Sequence, residues 1–450
     1  ENKQLINNIR EASFKDFNWS WKVVVASKTN NSPLIGLWKC ILEGWSYTKD
    51  LSNESWQKVL SFINKITERE YYIDIIGRSI ISKLLIKYIN ENKEISENSL
   101  SIAENIAKRI YKQIYELELD ETEVSSERYF NYFHTHLGGK LARFWINGLN
   151  KRCYYFKESW SDLPDYYHKF FEQVLKLESK TDESATTIMF SKLHIFFDIN
   201  SIWTTNKVIP LLNWEQNSDA KKFWAGFLFS RRLNKGLASK MLPYILDSFG
   251  KLSNELSSMK RQFCNDLAYI SLFYSNKEHQ IIEKFIEDAD EESHNLWFKN
   301  IIYIFKNKLS EEQKIEVWET WFNEYWTKRI DGIPKSFSDE EKVRILKLII
   351  YLKPVFGQAV DNICSMTFPE IKHTRIYKKI LENNLVEEYP HEVFKLVLKI
   401  IPKTDINYYC CCDIKEIIKK LQANEVTIEK LDNLIEVASN QGCLNLNDLI

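Results

Sequence analysis

The sequence predicts an all-α protein, an irregular α-solenoid of stacked antiparallel helical hairpins of HEAT-like type. Three observations carry that prediction. Glycine and proline are scarce, 12 and 9 residues in 450, where average usage is roughly 7% and 5%. Glycine lets backbone approach phosphates and turn sharply between strands, so its scarcity argues against nucleotide-binding α/β folds and turn-rich β folds. Apolar residues recur at helical spacing almost without a gap, and helix-start signals stand where several of those stretches begin.

In chain order, Trp19, Trp21, Val23 and Val25 alternate with period two, a strand-like spacing, yet a helix is the reading adopted there. The stretch 71–89 sets Ile73, Ile76, Ile80 and Leu84 on one face, with Ile81, Leu85 and Ile89 beside it. So wide an apolar surface predicts cover on two sides. Residues 100–115 place Ala103, Ile106, Ile110 and Ile114 on one face, flanked by Ala107 and Tyr111. Glu104, Lys108, Arg109 and Lys112 take the other, which makes the segment amphipathic. Ser310 to Gln313 and Ser338 to Glu341 fit the capping box, in which a hydroxyl and an acidic or amide side chain satisfy orphan backbone donors. Pro33 and Pro390 suit a first helical turn. Pro390 and Pro402 bracket a helix whose apolar face is Val393, Leu396, Val397 and Ile400. About twenty such segments, joined by loops of a few residues, imply antiparallel neighbours. Hairpins spaced roughly 40 residues apart fall in the range of HEAT-like repeats. The polar stretches 91–99, 119–127 and 288–294 are read as loops. No low-complexity linker appears, so 1–450 is taken as one continuous array.

Charge is balanced, 61 basic against 62 acidic residues for a net of −1. Nucleic-acid binders carry a basic excess or a basic face, so nucleic acid is not the expected partner. No apolar run approaches the 18 or so residues that suggest a membrane span. Cysteines stand at 40, 153, 264, 364, 410, 411, 412 and 443 without a CxxC pair, and are read as reduced thiols of a cytoplasmic protein. The chain begins at Glu1 with no signal-like segment. It is therefore expected to be the C-terminal part of something longer.

Candidate chemistry is thin. His134 and His136 form an HxH pair, but on a helix they face about 200° apart and no third ligand follows at zinc spacing. They are read as helix-end residues. Gly138-Gly139-Lys140 resembles the end of a phosphate loop, but Leu141 follows where Ser or Thr is needed and His134 stands in place of the earlier Gly. A flexible break in or beside a helix is the reading adopted. Cys410, Cys411 and Cys412 cannot bridge one another without strain and are read as small buried residues at a helix start. There is no GxSxG, HExxH, GxGxxG or EF-hand loop. The 14 Trp are more telling. Ile315, Trp318, Phe322 and Tyr325 make one helical stripe, leaving Trp321 and Trp326 further round. Arg231 and Arg232 follow Trp224, Phe227 and Phe229. Most of these rings are expected to wedge between hairpins, while some offer anchors for a partner, since Trp, Tyr and Arg dominate interaction hot spots.

These aromatic helices carry a resemblance. Leu37-Trp38 with Gly44-Trp45, followed by Trp56, Val59 and Leu60, resembles the opening of the helical region of bacterial defence-associated sirtuins. So do Phe144-Trp145 and Phe223-Trp224 with Gly226-Phe227. The most distinctive stretch is Trp318 to Pro334, with Trp321, Tyr325-Trp326, Arg329 and Gly332-Ile333-Pro334 ahead of the capped helix at Ser338. The likeness covers residues 15–365. It implies a parent protein whose N-terminal sirtuin-type domain hydrolyses NAD, with the helical part sensing a phage protein and releasing that activity. None of the positions of the NAD site exists in this sequence, so no residue of it carries over.

The expectation is thus a protein-binding sensor region with no catalytic residue, cofactor or metal of its own. Its partner would be a phage tail or capsid protein, with self-association as a further interaction. Arg231, Arg232, Trp321, Trp326 and Arg329 are the candidate partner-binding residues. A general helical-repeat scaffold unrelated to defence, and an enzyme with a site assembled from scattered residues, stay open as alternatives.

Overall fold

A computed structural model describes residues 2–27, 35–68, 74–92, 95–115, 133–230, 232–274, 278–372, 375–424, 426, 428–443 and 446. Pro33, Ile73, the stretch 119–127 and Arg231 lie outside them. The described residues are helical almost throughout, and the only β pairing among them is an isolated bridge between Ile371 and Thr404. The chain divides into two compact units, 1–240 and 241–450.

The first unit opens with α1 (Asn2–Lys15), α2 (Phe17–Ser27), α3 (Ile35–Tyr47), α4 (Asn53–Thr67) and α5 (Ile75–Glu91). It continues with α6 (Glu97–Tyr115), α7 (Leu137–Asn150), α8 (Asp165–Val174), α9 (Lys180–Phe190), α10 (Leu193–Ile199) and α11 (Ala220–Ser230). Trp19, Trp21, Val23 and Val25 are in α2, a helix as read. Packing follows a next-but-one pattern: α1 on α3, α3 on α5, α5 on α7, α7 on α9 and α9 on α11. Helix α5 buries Ile81, Leu84, Leu85 and Ile89 between α3 and α7, the two-sided cover its composition requires. Ile76 departs from that reading and stands 62% exposed. In α6, Ala103, Ile106, Ala107 and Ile110 are fully buried as the period demands. Glu104, expected on the polar face, is buried too, because Arg152 and the start of α8 cover it.

Helix α9 is buried along its whole length after Lys180, polar residues included. Glycine explains how its neighbours come so close. A Cβ on Gly138 of α7 would stand 2.4 Å from the Thr181 carbonyl oxygen, and one on Gly226 of α11 would stand 2.2 Å from that of Thr187. Neither position has room for a side chain. Gly138 and Gly139 therefore form the tightly packed first turn of α7, where a flexible break was expected. His136 caps that turn, its Nδ1 accepting from Gly138 N–H at 3.2 Å, in agreement with the helix-end reading.

In the second unit, α12 (Lys260–Tyr269), α13 (Glu278–Asp288), α14 (Glu291–Asn307) and α15 (Glu311–Val317) are followed by a widened turn, Trp318–Phe322, and α16 (Asn323–Ile330). Then come α17 (Asp339–Leu348), α18 (Phe356–Cys364), α19 (Pro390–Ile400), α20 (Tyr408–Ala423) and α21 (Ile428–Asn440). Glu291 begins α14 directly after its Asp290 cap, so most of the stretch 288–294 is helix where a loop was read. Both capping boxes form, Ser310 with Gln313 and Ser338 with Glu341. Pro390 opens α19, which buries Val393, Leu396, Val397 and Ile400. Cys411 and Cys443 are joined in a disulfide across 32 residues, correcting the reading of all eight cysteines as thiols. The remaining six form no disulfide; Cys410 is buried at the start of α20, whereas Cys412 is exposed.

Candidate functional site

The partner-binding candidates of the second unit lie inside it. Trp321, Trp326 and Arg329 are all buried, Arg329 at 1% exposure. Their reading as surface anchors is corrected. The reason is that neighbours cover this helix on a broad front: Tyr325 meets the Trp297 ring at 5.8 Å and Phe322 the Phe305 ring at 5.4 Å, while Trp321 packs on Phe322 and Tyr325. A widened turn, in which Asn323 N–H reaches Trp318 O, lies within the stretch. Trp318 donates to Gln358 Oε1 at 2.8 Å, and its ring lies 5.6 Å from that of Trp326. Arg329 spends its donors on four acceptors: Lys335 O (2.6 Å), Tyr325 Oη (3.0 Å), Ser336 O (3.3 Å) and Glu341 Oε2 (2.8 Å). Its guanidinium lies 4.5 Å over the Phe337 ring. Because Glu341 Oε2 also accepts from Ser338 N–H, Arg329 ties the loop after α16 to the cap of α17. A crevice beside Tyr325, Lys328 and Pro334 encloses only about 10 Å³.

The first unit holds two features of note on opposite sides of α7, an aromatic cavity and a group of cations. Trp145 lies about 160° round the helix from Arg143, as residues two apart must.

On the Trp145 side, α6, α7 and α8 enclose a cavity of about 510 Å³. Its floor is aromatic: Tyr111, Trp145, Tyr166 and Phe170. Trp145 and Phe170 stack at 5.1 Å, and Tyr111 meets Phe170 edge-on at 5.0 Å. Lys108 and Lys169 stand exposed at the rim, with Asn105 and Gln173 between floor and solvent. The indole N–H of Trp145 is buried and meets no acceptor. Beneath the floor, Glu104 takes Arg152 in a two-pronged bond at 2.9 and 2.7 Å, the Tyr167 hydroxyl at 2.5 Å, and the Tyr166 hydroxyl. Burial followed by the Glu104 charge drives the Tyr167 phenol well above its ordinary range. The network fixes Tyr166 and so the shape of the floor. Periodicity could not reveal it, since Glu104 and Arg152 are 48 residues apart.

On the opposite side, α7 contributes Lys140 and Arg143, the end of α9 leads into Lys192 and His194, and the end of α11 leads into Arg232. Lys140 donates to Ser79 Oγ at 2.7 Å, and Arg143 Nη1 lies 2.9 Å from His134 Nδ1. The His134 ring stands 6.3 Å from that of Phe229, which is 59% exposed. Burial, then the charges of Arg232 and Lys192, push His194 down to about 4. Burial, then Arg232 and Arg143, lower Lys192. Of the candidates named from sequence, Arg232 alone is shown at a solvent-facing site.

No group of His, Cys, Asp and Glu among the described residues can hold a metal ion. No helix among them is long and apolar enough to cross a membrane. Residues 272–435 match a family described as "Domain of unknown function (DUF4020)". That match covers less than half of the chain and lies within the second unit. No curated protein and no solved structure matches.

Proposed function

We propose that this chain is the protein-recognition region of an antiphage, NAD-depleting effector of the kind its aromatic helices resemble. It recognises a phage structural protein in the cytoplasm and carries no catalytic site of its own. The observation that carries recognition is the aromatic cavity of the first unit. At about 510 Å³ it falls in the usual range of ligand pockets, roughly 300–1,000 Å³. An apolar floor under a lysine rim suits an aromatic or aliphatic side chain borne on an acidic segment, in keeping with the aromatic enrichment of interface cores. An irregular solenoid of stacked hairpins serves a sensor well, because each hairpin contacts mainly its neighbours and curvature changes at low cost. The Cys411–Cys443 bond is a feature more usual outside the reducing cytosol.

The test is calorimetric titration of the chain with purified phage tail and capsid proteins. One of them is expected to bind at micromolar affinity or tighter, around −8 kcal/mol. The double reversal Lys108→Glu/Lys169→Glu should weaken it at least tenfold. Binding that ignores this variant removes the cavity from the interface. Failure of every phage protein to bind overturns the sensor reading in favour of a plain scaffold.

A further inference from the structure

We infer that Lys140, Arg143, Lys192, His194 and Arg232 form a binding site for a compact phosphate-bearing anion. Lys140 and Arg143 stand on α7, Lys192 and His194 where α9 runs into α10, and Arg232 just past α11, and α9 packs against both α7 and α11. The close approach of α7 and α11 to α9, permitted by Gly138 and Gly226, holds those helices in register. Clusters of like charge normally recruit carboxylates, as elsewhere in this unit, where Glu183 takes Lys222 and Glu104 takes Arg152. Among the described residues, no ion pair forms with Lys140, Arg143, Lys192, His194 or Arg232, and Lys192 and Arg232 have no side-chain hydrogen-bond partner. Asp198, on the same helix as His194, is engaged with the Asn234 amide at 3.0 Å. The C-terminal ends of α9 and α11 supply partial negative charge that eases Lys192 and Arg232, but fractional dipoles do not neutralise this many cations.

A second observation points to a ligand. The Nδ1 of His194 is buried and has no hydrogen-bond partner. A half-buried imidazole between Lys192 and Arg232 loses proton affinity, and a bound dianion would restore it while accepting from the ring. The chemistry favours phosphate over an isolated carboxylate, since two guanidinium groups, two ammonium groups and an imidazole together offer more donors than two oxygens accept. Four of the five residues are half-buried, which suits a compact anion. A polynucleotide backbone is better served by an exposed basic stripe, and the whole chain has a net charge of −1.

The inference stands apart from the cavity and is tested on the intact chain. Inorganic pyrophosphate is titrated by calorimetry at constant ionic strength, with thermal unfolding followed in parallel. One saturable site at about 1 mM or tighter is expected, with a raised unfolding temperature. Lys192→Ala/Arg232→Ala should weaken it at least tenfold, while Lys108→Ala/Lys169→Ala leaves it within twofold. If the first double variant does not fold, Arg232→Gln, at an exposed position, replaces it and should weaken binding at least threefold. Equal binding by wild type and the cluster variants, or no saturation, overturns the site. Parallel arms use a nucleoside diphosphate and a single-stranded oligonucleotide. Tighter binding of the diphosphate assigns a ligand with a base, and equal binding assigns a free polyphosphate. Steeply salt-dependent binding of the oligonucleotide alone replaces the proposal with a nucleic-acid surface.

Discussion

Arg329 and Arg232 look alike in the sequence, each a cation close behind a run of aromatic residues, yet the fold uses them in opposite ways. Arg329 is enclosed, stacked on Phe337 and bonded to four acceptors that include the Glu341 carboxylate. Arg232 is exposed and stands among cations. An arginine whose donors are all engaged inside a unit organises chain; one without acceptors at the surface is held ready for an anion. What separates them is the presence of a carboxylate and a set of carbonyls, and those arrive from elsewhere in the chain.

The contrast can be broken most forcefully at Arg329. Truncating one partner of a buried pair leaves an uncompensated charge, so Arg329→Ala should destabilise the second unit by about 3–5 kcal/mol. Urea unfolding read by tryptophan fluorescence measures this, and a loss under about 1 kcal/mol would falsify its role as the tie between loop and helix cap.

A subtler effect belongs to His194. Its ordinary value is 6.5, and in the folded chain it is held down to about 4 by burial and by Arg232 and Lys192. Below pH 6.5 the unfolded chain takes a proton there that the folded chain refuses until about pH 4. The unfolded state thus binds more protons across that window, and stability falls as pH falls. Carboxylates titrate in the same window, so the comparison is with His194→Gln. As pH drops from 6.5 toward 4, the variant should gain on wild type in unfolding midpoint; parallel curves would show that His194 is not held neutral.

The smallest effect is expected at Arg232 itself. With no partner to lose, Arg232→Ala should change stability by less than about 0.5 kcal/mol. Chemical denaturation decides it, and a loss as large as that of Arg329→Ala would erase the distinction between the two residues.

Legibility in the sequence followed the reach of each physical signal. Capping boxes at Ser310 and Ser338, first-turn Pro390 and the apolar stripe of α6 are local patterns, and each is in place. Glu104 was misread because its partner lies 48 residues on. Trp321 and Trp326 look peripheral to a stripe through Phe322 and Tyr325, yet they are buried with it because rings distant in sequence, Trp297 and Phe305, cover the helix. Gly138 and Gly139 suggested looseness where they permit close packing. Cys411 found Cys443 across a separation that spacing alone does not specify.

By itself, then, the sequence determined that this chain is helical and where many of its helices begin. Those properties rest on hydrogen bonds and apolar spacing within four or so residues. Tertiary structure decided which charged and aromatic side chains face inward, and that cations from three separate segments lie near one another with no carboxylate paired to them among the described residues. Helical period specifies one buried face. Whether the other faces are covered depends on elements far along the chain, and there the charge of a side chain is set by its neighbours in space.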